Sequence, residues 1–158
     1  MIAAVAVLGL AAVLWMGSHV AVTAGPSPEV LAQMTPQQVT RAFYTWYRDM
    51  LAADVLCHPL LDGAYQDSPY LSARLISALD DVVARSCGTG LAADPLLCTA
   101  DLPADVGTRI IQTQTDSASV LVYGRYPTES PVSETRVLAV ASLVREDGRW
   151  LIDAVECR

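Results

Sequence analysis

Six polar residues are spaced where an enclosed apolar pocket would use them: Tyr44, Tyr47, Tyr65, Tyr70, Asp101 and Arg109. A carboxyl in such a pocket has its pKa raised by desolvation. It can then exchange a proton near neutrality, the chemistry of isomerisation and dehydration. Asp101 is the best single acid–base candidate, because it follows the apolar run Leu96-Leu97-Cys98. The plainer reading is a loop Asp that caps a turn or pairs with Arg109. Tyr44 and Tyr47 lie three apart and are neighbours if their segment is helical. Tyr47 falls on the inner face and Tyr44 at its edge. A buried Tyr hydroxyl needs a hydrogen-bond partner, and a carboxylate from the 94–101 loop is the expected class of acceptor.

Other chemistries find no support. No Ser sits in a Gly-x-Ser-x-Gly turn. Cys57 and His58 are adjacent, but adjacent residues of an extended segment point apart, and Pro59 marks a loop. His19 and His58 are the only His residues, and metal-ligand spacing is absent. There is no Gly-rich phosphate loop. No metal and no cofactor are expected. The 17 acidic and 10 basic residues give a net charge of −7, and every basic residue is Arg. Dispersed Arg on an acidic chain lacks the positive patch that nucleic acid or a polybasic membrane contact requires.

The elements that must position these residues are legible. Thr35-Pro36-Gln37-Gln38 reads as a capping box with Pro at the first helical position. Val39, Phe43, Trp46, Tyr47 and Met50 then mark one face of a helix ending near Asp54. Residues 57–67 form a loop, and Ser68-Pro69 is expected to open a second helix, with Leu71, Leu75, Ala78, Leu79 and Val82 inward. Asp94-Pro95 marks a turn, with Leu96 and Leu97 plugging the core. Four strands are predicted over 109–113, 118–126, 135–145 and 149–156, and Glu146-Asp147-Gly148 makes a tight hairpin. Two helices followed by four antiparallel strands make an α+β domain. One sheet face is covered by helices. The other carries apolar residues that suit a protein partner, a second copy of the chain or a further segment.

Residues 2–16 are almost wholly apolar, and no charged side chain precedes Glu29. Residues 1–24 read as a transmembrane anchor or a signal peptide, with Val22 and Ala24 suiting cleavage before Gly25. Residues 25–34 read as a linker and 35–158 as the domain. The domain is expected on the extracytoplasmic side of a membrane, or secreted or periplasmic if the N-terminus is removed. Cys57, Cys87, Cys98 and Cys157 all follow the apolar segment, and an even number in an exported chain reads as two disulfides with three connectivities open.

Phe43-Tyr44-Thr45-Trp46-Tyr47, Ser68-Pro69-Tyr70-Leu71-Ser72, the 94–101 loop, and 147–153 with Cys157 together carry a resemblance. In order and spacing they resemble an exported bacterial family, the domain of unknown function 3828, across residues 35–157. The resemblance implies a cystatin-like cone: an N-terminal apolar helix, then two main helices on a curved four-stranded antiparallel sheet. It implies an exported setting and no particular activity. It also implies the pairings Cys98–Cys157 and Cys57–Cys87. The family loop often carries Gln where this chain has Ala100, so no role for that Gln transfers. The resulting expectation is a non-catalytic binding or scaffold domain. The alternative is a small-pocket acid–base enzyme using Tyr44, Tyr47, Asp101 and Arg109.

Overall fold

The computed structural model describes residues 26–53, 58–86, 91, 93–127 and 133–158. Among these residues three helices, α1 (Pro28–Gln33), α2 (Pro36–Ala52) and α3 (Ala73–Ser86), precede four strands. The strands β1 (Asp105–Thr113), β2 (Ser117–Tyr126), β3 (Glu134–Glu146) and β4 (Arg149–Cys157) form one antiparallel sheet in the order β1-β2-β3-β4. The domain is therefore α+β. The 1–24 segment and the Cys57–Cys87 pairing lie outside the described residues. Among the described residues, no helix is long and apolar enough to cross a membrane.

Helix α2 starts as its sequence dictates. The Thr35 side chain accepts from the Gln38 N–H, the Gln38 side chain accepts from the Thr35 N–H, and Pro36 fills the first turn. The helix packs across β1, β2 and β4. Its buried face is Val39, Thr40, Phe43, Tyr44 and Tyr47. Tyr44 is therefore not at the edge of that face but fully enclosed, and Trp46 and Met50 are only partly buried.

Besides β1, which begins at Asp105 and not at residue 109, two features differ from expectation. Helix α3 begins at Ala73, not at Ser68-Pro69, because residues 70–72 pair with the sheet instead. Ser72 N–H donates to the Ile152 carbonyl (2.9 Å) and Ile152 N–H to the Tyr70 carbonyl (2.8 Å). Ser72 Oγ then accepts from Leu75 N–H (3.1 Å) and caps the helix. Leu75 and Leu79 face inward while Ala78 is exposed. The second difference lies in the 25–34 linker, where α1 packs against β4 with Leu31 buried.

The sheet has two unlike faces. Thr108, Val120, Val122, Ala139, Ala141 and Ile152 are buried on the helix side. Their neighbours Arg109, Leu121, Val140 and Ala154 point the opposite way, because strand side chains alternate. Each ladder carries one register irregularity: at Ile110/Gln112, Val122/Tyr123 and Ser142/Leu143. Asp147 (φ 48°) and Gly148 (φ 79°) form the two-residue β3–β4 turn, both in the left-handed region that this turn demands.

Candidate functional site

In the 94–101 loop the buried carboxylate is Asp94, not Asp101. Its side chain is 8% exposed. Oδ1 accepts from the N–H groups of Leu96 (2.7 Å) and Leu97 (2.9 Å), so the Asp-Pro-Leu-Leu segment closes as a turn around its own side chain. Oδ2 accepts from the Tyr47 hydroxyl at 2.8 Å and lies 3.5 Å from His58 Nε2. His58 Nδ1 accepts from Leu60 N–H (3.2 Å), which leaves the ring proton on Nε2, facing Asp94.

This loop turns Leu96 and Leu97 into the core, where both are buried as the sequence suggests. The Leu96 carbonyl accepts from the Tyr44 hydroxyl at 3.0 Å. Both α2 tyrosines therefore anchor to the same loop, and for Tyr47 the acceptor is a carboxylate of the expected kind. Burial, followed by the negative charge of Asp94, pushes both hydroxyls far above the ordinary tyrosine range. They remain protonated donors. The next residue, Cys98, is bonded to Cys157 at the end of β4, with Cα atoms 5.4 Å apart. The loop is thus tied to α2 by hydrogen bonds and to the sheet by a covalent bond.

A recess of about 240 Å³ opens beside this network. Leu51, Leu97 and Leu102 supply apolar wall, and His58, Asp94 and Asp101 supply polar groups. Asp101 stands on its rim with a side chain 71% exposed, 3.5 Å from Arg136. It does not pair with Arg109. Arg109 lies on the sheet face turned away from the helices, beside Leu121 in register. The remaining sequence candidates serve the packing: the Tyr65 hydroxyl donates to Asp80, and the Tyr70 ring packs edge-on against Phe43.

Of the four candidate pocket residues, then, Tyr44 and Tyr47 meet at one loop, Asp101 edges the adjoining recess, and Arg109 is elsewhere. Asp94 and His58 were missed as partners. The available signal was the Asp-Pro-Leu-Leu order. An Asp that accepts N–H bonds two and three residues on is carried inward when those residues are core leucines.

The arrangement has little spare chemical capacity. A carboxylate offers about four acceptor positions. Asp94 accepts from two backbone N–H groups and a phenol and lies 3.5 Å from an imidazole, all within the chain. No family model matches the chain, and neither a curated protein nor a solved structure is significantly similar to it.

Proposed function

We propose that this chain is an exported or membrane-anchored binding or scaffold domain without catalysis, and that its contact surface is the sheet face turned away from the helices. The carrying observation is the contrast between the two sides of the sheet. Beneath the helices, Phe43, Tyr44, Tyr47, Leu60, Leu96 and Leu143 fill the space and are essentially inaccessible. On the other side, Leu121, Tyr123, Val140 and Val144 are only half-buried, and Val137 is 46% exposed. Tyr123 with Val137 and Leu121 with Val140 are neighbouring register pairs, and a half-open apolar cluster of this kind suits an interaction site. The register irregularities in all three ladders bend strands and support the cone-like form that the resemblance to domain of unknown function 3828 implies. The apolar 1–24 segment and the Cys98–Cys157 bond support the extracytoplasmic setting.

The test places a photoreactive residue at Leu121, and separately at exposed Ala78 on α3, in the full chain expressed in its own host. A discrete crosslinked product from Leu121 and none from Ala78 is expected. Equal crosslinking at both positions overturns the reading.

One observation favours the acid–base alternative: the recess brings His58, Asp94 and Asp101 to one opening. There Asp94 would orient His58, and His58 would move the proton. That reading requires Asp94→Asn to abolish turnover of a small-molecule substrate at unchanged stability. The binding reading requires the variant to lose stability and nothing else.

A further inference from the structure

Register across the outer face sets four side chains in one row: Arg109 pairs with Leu121, Leu121 with Val140, and Val140 with Glu156. All four point away from the helices, since Thr108, Val122, Ala139 and Ala141 beside them are buried on the helix side. The row therefore reads positive, apolar, apolar, negative from one sheet edge to the other. Among the described residues Arg109 has no ion-pair partner. Among the described residues the ion-pair partner of Glu156 is Arg158, at 3.2 Å, with both side chains more than half exposed.

This order is self-complementary under one symmetry. A two-fold axis lying between stacked sheets and parallel to the strands sets β1 over β4 of the other copy and β2 over β3. Every residue then faces the opposite end of its own row. Arg109 meets Glu156 of a second copy twice over, and Leu121 meets Val140 twice over. A two-fold axis across the strands would instead set each strand on itself, bringing Arg109 to Arg109 and Glu156 to Glu156. Stacked sheets lie about 10 Å apart, a gap that an extended Arg and a Glu cross together. We infer that two copies of this chain pair face to face through the outer sheet surface about an axis parallel to the strands, with Arg109 of each bonded to Glu156 of the other. The inference rests on the proposed contact role of this face and names its partner.

The face is small. Four strands ~4.8 Å apart and nine residues long present roughly 19 by 30 Å. That is near the lower limit for a stable interface, and the net charge of −7 adds repulsion. The pair is therefore weak and concentration-dependent, with its register set by the two ion pairs.

The test uses the full chain in detergent, with two affinity tags on separate preparations, and reads co-purification against concentration. Wild-type copies pair. Arg109→Glu copies set two carboxylates against each other at both contacts and lose pairing by about tenfold or more. Glu156→Arg copies set two guanidinium groups together and lose it equally. Mixed together, the two variants recover it, because every contact is again between opposite charges. Both positions are exposed, and recovery on mixing shows that both variants fold. Any association through the 1–24 segment is common to all preparations and cannot produce this pattern. Equal pairing in all four combinations, or none by the wild type at about 100 μM, overturns the inference. If the wild type does not self-pair while the Leu121 probe crosslinks to a different protein, the binding role stands and the two-fold pairing falls. If Leu121 crosslinks to nothing, both fall.

Discussion

The two sides of the sheet differ in how their polar and apolar groups are matched. On the inner side, polar groups are matched inside the chain: Tyr44 to the Leu96 carbonyl, Tyr47 to Asp94, and Thr108 to Gln37 at both its carbonyl and its hydroxyl. On the outer side, Arg109 has no ion-pair partner among the described residues, and the valines and leucine between the edges stay in contact with water. Burial with matched hydrogen bonds stabilises a fold. Apolar surface left half-open does not, so the outer side is where association is expected. Substitutions on the inner side should therefore act on stability, and those on the outer side on association.

The largest effect is expected from the covalent tie. Cys98 and Cys157 are 59 residues apart, and the chain-entropy model gives about 4 kcal/mol for closing a loop of that size. Cys98→Ser should lower unfolding free energy by that order in denaturant titrations under oxidising conditions. Asp94→Ala should follow at about 3 kcal/mol, since it leaves two buried N–H groups and the Tyr47 hydroxyl unpaired. A loss under about 1 kcal/mol, the scale of one net hydrogen bond, would mean the 94–98 loop is not part of the core.

Gly107 sharpens the comparison from the other side. A Cβ there would lie 2.2 Å from the Tyr123 ring, so the ring covers the glycine on the outer face. Gly107→Ala forces the ring to swing into solvent, with an expected loss of about 1 kcal/mol. In a Gly107→Ala/Tyr123→Ala double variant most of the Gly107 effect should vanish, read as a coupling energy in a double-mutant cycle.

Acid should act on the contact between α3 and β4. Arg74 hydrogen bonds, with help from the Ser72 hydroxyl (2.7 Å), hold the Asp153 carboxyl below its ordinary value of 3.8. A group depressed on folding contributes stability above its unfolded pKa and loses it as pH falls through the folded one. The loss therefore begins below about pH 4, and Asp153→Asn should flatten the pH dependence of the melting temperature there. The smallest effect is expected at Asp101, whose exposed pairing with Arg136 contributes little. Asp101→Asn should change stability by less than about 0.5 kcal/mol.

What could be read in advance followed from local rules. The capping box at Thr35, the Asp147-Gly148 hairpin and the alternating strands each need only near neighbours in the chain. Ser68-Pro69 carried an equally good local signal for a helix start, yet the 70–72 backbone pairs with Ile152, a distant partner that no local pattern reveals. The different surroundings of Asp94 and Asp101 are not legible locally for the same reason. Both follow or precede apolar residues, but only Asp94 curls back on the leucines that enter the core. The Arg109–Glu156 row was likewise hidden, since it appears only once three strand registers are known together.

Footprinting tests the division between the two faces most directly. The full chain would be labelled with a carbene reagent at high and at low concentration, and the labelling read residue by residue. Pairing through the outer face predicts that Leu121, Tyr123, Val137 and Val140 become protected as concentration rises, while Ala78 and Arg74 on α3 label equally throughout. Labelling of the outer-face residues that does not change with concentration, or protection that instead appears on α3, would contradict it.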